Sequence, residues 1–219
     1  MSPTFVTPST RPEAAGLNET MDERRRVPDL APLGDGTITL RPWVDGDTEF
    51  VARACRDPEI PRWTMVPENM DETRALEWVR RMRDLPGLDR AAPFVVTMTA
   101  TGEQVGSVGV GNFDWPESTG QVFYWLAADA RGHGYATRAV RLVSAWALRD
   151  LELERLELYA HPDNLASQRV AERAGYTREG VLRSALVVKG RRWDVVLFSR
   201  LPDDADPVGT LPLGRSEKG

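Results

Sequence analysis

Residues 131 to 137 read Arg-Gly-His-Gly-Tyr-Ala-Thr, a pattern suited to holding a phosphate. Gly132 and Gly134 let backbone amides turn inward and let a ligand approach closely. A helix starting just after them adds unpaired N–H groups and a partial positive charge. The sum is an anion site, with phosphate or pyrophosphate as its natural occupant. An ordinary glycine turn capping a helix is the plainer reading of the same residues. Two common phosphate motifs do not fit. No lysine follows Gly134, as an ATP-type loop requires, and Thr137 stands where the dinucleotide fingerprint has its last glycine.

The flanking residues supply the elements such a loop needs. Val122 to Leu126 is apolar, aromatic and β-branched, which predicts a buried strand. Ala136, Ala139, Val140, Val143, Trp146 and Ala147 recur at three- and four-residue spacing and mark one face of a helix. A second unit follows. Residues 155 to 160 alternate polar and apolar, as a half-buried strand does, and Pro162 stops them. Asn164 stands in the N-cap position of a helix over 165–174, and Gly175 stands in its C-cap position.

The string Arg131-x-x-Gly134-x-Ala136 resembles the pyrophosphate loop of the GCN5-related N-acetyltransferases (GNAT). The string Asn164-x-x-Ser167-x-x-x-x-Glu172-x-x-Gly175-Tyr176 resembles the second acyl-CoA motif of that superfamily. Ser167, the run Glu179-Gly180-x-Leu182-Arg183, Gly190 and Asp194 look like the RimJ/RimL-type branch, which contains ribosomal-protein N-terminal acetyltransferases. The resemblance spans roughly residues 36 to 201. It implies the GNAT fold, with helices on both faces of a splayed mixed sheet. It also implies acetyl-CoA or another acyl-CoA as cosubstrate, with no metal. By the same resemblance, Leu126, Ala127 and Ala128 bond the pantetheine arm. The amides of Arg131, Gly132, His133, Gly134, Tyr135, Ala136 and Thr137 hold the pyrophosphate, and Asn164 meets the arm from the other side. The acceptor is then a primary amine, on a protein N-terminus or a small molecule, which attacks the thioester carbonyl and displaces the CoA thiolate without a covalent enzyme intermediate.

Several positions depart from the family. Ala171 stands where many members carry a general-acid tyrosine, seven residues after the asparagine. Ser167 is the alternative donor to the departing thiolate, or else a hydroxyl bonding local backbone. Gln121 and Leu186 stand where carboxylate bases are expected. His161, at the mouth of the cleft, is a candidate proton acceptor, against a structural role at a strand end. Tyr124, Trp125 and Tyr176 read as core. Trp63, Met65 and Trp78 fall in the region that covers the acceptor site in the family, and Trp115 with Pro116 could form a rim. The missing carboxylates leave a noncatalytic acyl-CoA-binding or sensing module as the alternative. A transferase for a longer acyl-CoA such as succinyl-CoA is another, and a nucleotide-binding regulator a third.

Composition sets the outer bounds. The chain has 219 residues with 41% hydrophobic and 28% charged, which is ordinary for a soluble globular protein, and its α/β class comes from the order of its expected elements. One cysteine, Cys55, permits no intrachain disulfide and suits the cytoplasm. It sits in a helical stretch and reads as a small core residue. A net charge of −5 argues against nucleic acid as a partner, and Arg24-Arg25-Arg26 is flanked by acids. His133 and His161 are the only histidines, so a metal site is not expected. No apolar run reaches membrane-span length, and the N-terminus lacks an apolar signal core. Residues 1–33 and 202–219 read as flexible extensions around a domain at 34–201. The expected order there is βααβββαβαββ, with Pro58 to Pro67 as a loop. Dimers are common in the resembled branch, and the exposed sheet edge near the C-terminus is the expected site for a homodimer.

Overall fold

A computed structural model describes residues 26–205. The chain runs β1 (Leu33–Gly34), β2 (Ile38–Arg41), α1 (Thr48–Ala54), α2 (Glu59–Trp63), α3 (Glu72–Asp84), β3 (Ala91–Met98), β4 (Gln104–Asp114) and β5 (Thr119–Leu126). It continues through α4 (Tyr135–Asp150), β6 (Arg155–Ala160), α5 (Leu165–Arg173), β7 (Thr177–Val188) and β8 (Arg191–Arg200). The strands form one mixed sheet in the order β1-β2-β3-β4-β5-β6-β8-β7.

Among the described residues only β5 and β6 pair in parallel, and that pairing is short. It runs from Thr119 opposite Arg155 to Val122 opposite Leu158 and then stops. On its other edge β5 stays paired with β4 as far as Leu126. From Phe123 onward, then, β5 and β6 diverge and leave a gap in the middle of the sheet, the splay that the family resemblance implies.

Both faces of the sheet are covered by helices. On one face Phe50 of α1 stacks on Trp125 with ring centres 5.7 Å apart, and Trp43 meets Trp78 of α3 edge-on at 5.0 Å. On the other face Trp146 of α4 meets Phe94 edge-on at 5.5 Å. Ala136, Ala139, Val140, Val143, Trp146 and Ala147 of α4 are all buried, the stripe that the residue spacing predicts. Successive strand residues point to opposite faces, so Tyr124 points toward α5 while Trp125 points toward α1.

Two local features differ from the sequence expectation. The segment 58–67 is not all loop, because Glu59–Trp63 forms α2 with Pro58 in the N-cap position. Pro61 lies in the first turn of α2, where its missing N–H takes no helical bond. Asp47 stands in the N-cap position of α1, with its side chain turned to other partners. Its carboxylate takes both Arg41 nitrogens at 2.9 and 2.6 Å, the Val44 amide at 2.9 Å and Gln104 at 3.1 Å. This network welds the start of α1 to β2 and β4. Residues 26–33, assigned to the N-terminal extension on composition, lie against the body. Val27 is buried with its amide on Asp89, and Leu33 pairs with Leu40. The rest of both expected extensions, residues 1–25 and 206–219, lies outside the described residues.

Candidate functional site

The loop after β5 is built to leave its amides free. Gly132 and Gly134 take φ of +83° and +80°, the left-handed region that a side chain disfavours. Gly134 is the N-cap of α4 and no side chain caps that helix. Among the described residues the amides of residues 132 to 137 have no acceptor, and the helix's first bond runs from Arg138 to the Gly134 carbonyl at 3.1 Å. Among the described residues the space in front of both glycines is open, with nothing beyond their chain neighbours within 4 Å of where a Cβ would stand. Six successive free N–H groups at a helix N-terminus make a cradle that could hold an anion such as phosphate.

The residues before the loop divide their roles. The Ala127 amide donates to the Val105 carbonyl at 3.0 Å and so faces β4, away from the gap. The Leu126 carbonyl faces the gap and accepts from the Arg131 guanidinium at 3.1 Å. The Arg131 amide donates to Ala128 at 3.4 Å, so it is not one of the free amides. Its guanidinium also forms an ion pair with Asp57, whose other oxygen accepts from the amide of Glu59 at the start of α2. His133 stacks on Tyr135 with ring centres 5.6 Å apart, and the Tyr135 hydroxyl donates to Met98.

Across the gap, Asn164 caps α5 by accepting the Ser167 amide at 3.0 Å. The Ser167 hydroxyl is not tied to local backbone. It accepts a 2.9 Å hydrogen bond from the Tyr124 hydroxyl on β5. Burial pushes the Tyr124 phenol up to about 12, with the Ser167 bond pulling weakly the other way. Tyr124 is therefore a neutral donor at ordinary pH, and Ser167 keeps its own proton to give. Tyr124 read as core in the sequence. Its partner lies 43 positions away, a separation that no local pattern marks. Tyr176 is core as expected, fully buried with its hydroxyl 2.7 Å from Ser144.

A cleft of about 1190 Å³ opens beside the N-terminus of α5. His161 stands in its wall, between Trp63 at 5.3 Å and Trp193 at 4.9 Å. The His161 carbonyl accepts the Asn164 amide, which ties this wall to the start of α5. The His161 ring accepts the Asp163 amide through Nδ1 at 3.1 Å. Arg62 lies over the other ring system at 4.4 Å from the Trp63 centre. Lys189, the only lysine among the described residues, donates from the β7–β8 turn to the Pro61 carbonyl of α2 and lies 3.9 Å from Glu68. Partial burial lowers its pKa against the opposing effect of Glu68. Of the three residues read as acceptor-pocket candidates, Trp63 lines this cleft. Trp78 instead packs in the core between Trp43 and Trp125, and Met65 is exposed outside the lining. Trp115 stacks on Phe113 at 4.5 Å.

The positions lacking the expected carboxylates are occupied otherwise. The Gln121 side chain accepts from Asn112 at 2.6 Å, and Leu186 is half-buried opposite Trp193. Glu157 lies beside Gln121 on the next strand, but it takes Arg155 at 3.0 Å and the Tyr159 hydroxyl at 2.5 Å. Arg155 also grips Glu179 through two bonds, and with the Ser199 hydroxyl it holds the Glu179 carboxyl down at about 2. Burial pushes the Cys55 thiol up to about 12, the state of a core residue. Among the described residues no cluster of metal-ligating side chains occurs, and no helix is long and apolar enough to cross a membrane.

A family model described as "Acetyltransferase (GNAT) domain" matches residues 37–177. The uncharacterized N-acetyltransferase p20 of Bacillus licheniformis is 27% identical over 164 residues, covering 75% of this chain and 92% of that protein. The ribosomal-protein-serine acetyltransferase of Escherichia coli is 28% identical over 101 residues, covering 46% of this chain and 56% of that one. Mycobacterium smegmatis RimJ, solved in complex with CoA-disulfide, superposes with a TM-score of 0.69 at 26% identity. It covers 78% of this chain and 86% of its own.

Proposed function

The chain belongs to the GNAT acetyltransferase family and is a transferase, and from that premise we propose that it moves an acyl group, acetyl by family default, from coenzyme A to a protein N-terminus. One observation carries the cosubstrate assignment: six amides free among the described residues, in front of two open glycines and beside a gap where β5 has no described partner. A pyrophosphate suits the cradle, and an extended pantetheine arm suits the unpaired edge of β5, bonding it as a borrowed strand does. The Leu126 carbonyl is the acceptor on that edge, once Arg131 releases it. Asn164, Ser167 and the wall at His161 bound the far side. RimJ, solved with a CoA derivative, and relatives named as N-acetyltransferases support this reading. The relative named for acetylating a ribosomal protein supports a protein acceptor.

Acyl-CoA supplies a thioester carbonyl at the end of the gap. Attack there needs a neutral amine, and the departing thiolate needs a proton. Ser167 donates that proton, and Tyr124 behind it holds the Ser167 oxygen and stabilises it as charge develops. The phenol that Ala171 lacks on α5 thus comes from β5. The attacking amine loses its proton to solvent through the open cleft, because no unpaired carboxylate stands at the Gln121 or Leu186 positions. Transfer is direct, since Cys55 is buried and protonated and, among the described residues, the Ser167 hydroxyl has no base to activate it.

Initial rates with acetyl-CoA and an N-terminal peptide test this. Intersecting double-reciprocal lines, with thiol release matched to acylated peptide, are expected. Parallel lines, or an acyl adduct on Ser167 in the mass spectrum, would overturn direct transfer. No stabilisation by CoA in thermal unfolding would overturn the cosubstrate itself.

A further inference from the structure

We propose that the cleft beside α5 selects an acidic N-terminal peptide segment as the acceptor, through the unpaired guanidinium groups of Arg56 and Arg191. This rests on the transfer reading above and names the substrate that reading leaves open.

The charge balance of the cleft runs against that of the chain. The chain carries net −5, yet the cleft wall carries Arg56, Arg62, Arg74, Lys189 and Arg191. Against these five cations stand three carboxylates, Glu68, Asp71 and Asp163. Most of the charged groups are already engaged. Arg62 is 3.0 Å from Glu59, Arg74 donates to the Asn69 carbonyl, and Lys189 faces Glu68 and Pro61. Asp71 caps α3, and Asp163 lies near His161. Arg56 and Arg191 are exposed and have no acceptor or carboxylate partner among the described residues.

Their placement gives the charge a direction. Arg56 follows α1, and Arg191 opens β8 just past the hairpin tip. They reach the cleft from separate parts of the chain, while His161 ties the cleft to the N-terminus of α5 and hence to Ser167. In this proposal a ligand reaches Ser167 past His161 and Asp163 and keeps its remainder in the cleft, beside both arginines. The cleft volume lies at or above the upper end of the roughly 300–1,000 Å³ usual for small-molecule sites. An open trough of about 1190 Å³ suits several residues of chain. Trp63, His161 and Trp193 form an aromatic wall for the side chain next to the amine, and the arginines then meet carboxylates a few residues on. Acidic segments are steered in, and basic ones are repelled.

The test uses the full chain with acetyl-CoA and three peptides that share Ala-Leu at their N-termini. The next four residues are Asp/Glu, Asn/Gln or Arg, with arginine replacing lysine so that only the α-amine can react. The acidic peptide is expected to exceed the amide peptide by about tenfold in kcat/KM, and the arginine peptide to fall below both. The preference should shrink in about 0.5 M salt. The double variant R56E/R191E should place the arginine peptide ahead of the acidic one. The same charge reversal at Arg81, on α3 outside the cleft, should keep the original order. Acidic and amide peptides within about twofold, an unchanged order in the double variant, or a small phosphate-bearing amine outrunning every peptide would each overturn the proposal. Calorimetry of the same peptides against the CoA-loaded protein separates the two readings. Selective binding of the acidic peptide without acylation would uphold the cleft and overturn transfer, while equal acylation of all three would do the reverse.

Discussion

At the scale of single residues, proton movement is the discriminating chemistry. If Ser167 donates to the leaving thiolate, Ser167→Ala should lower kcat about 100-fold while leaving the KM for acetyl-CoA nearly unchanged. Tyr124→Phe keeps the packing and removes the donor behind Ser167, so a loss of about tenfold is expected. Steady-state kinetics with a peptide acceptor read both, and a Ser167→Ala enzyme of full activity would remove Ser167 from the mechanism. The pH profile follows from the same groups. Tyr124, pushed up to about 12, stays protonated across the working range, and no carboxylate base is free at Gln121 or Leu186. The rate should therefore climb with pH and level off above about 8, where an α-amine is neutral, without an acidic limb from an enzyme carboxylate. A fall in kcat on the alkaline side between pH 8 and 10 would point to a donor other than this pair. His161 was read from sequence as a proton acceptor or a structural strand-end histidine. Its ring lies between two tryptophans, with Nδ1 used by the Asp163 amide.

At the scale of elements, whatever depends on neighbouring residues was legible in the sequence. Residues 155–160 alternate and form β6 with those bounds, Asn164 caps α5, and the Gly134 turn opens α4. These features follow from periods of 2 and 3.6 and from cap chemistry, all within a few residues. The misses were elements whose cause lies elsewhere. α2 is five residues long with prolines at its N-cap and first turn, so it reads as loop until it packs under the hairpin tip. β1 has two residues and exists only as a partner for β2. The Tyr124–Ser167 pair and the cleft each join segments far apart in sequence, and no short window contains them. Gly134→Ala tests the most local of these elements. A side chain at φ +80° costs about 1 kcal/mol, which for a chain of this size lowers the melting temperature by roughly 2–4 °C. The substitution also intrudes on the open space before the free amides. Weaker CoA binding by calorimetry is therefore expected beyond the stability loss, whereas unchanged CoA affinity would mean the cradle is not the anion site.

At the scale of the whole molecule, one ion pair joins the two halves of the site. Arg131, at the start of the amide cradle, pairs with Asp57, at the start of α2, and α2 forms one wall of the cleft. Asp57→Asn keeps the acceptor for the Glu59 amide but removes the charge that draws Arg131 away from the cradle. CoA should then bind about three- to tenfold more tightly, measured by calorimetry, and a weaker complex would show that Asp57 orders the loop for CoA. The choice of basic side chains has its own consequence. The sequence holds 26 arginines and two lysines, Lys189 and Lys218, and the Lys189 amine is already held by the Pro61 carbonyl. A guanidinium carries the same charge as an ammonium but stays protonated and is a poor nucleophile at neutral pH. A catalyst that acylates amines meets its own surface at every encounter, and this surface offers it almost nothing to modify.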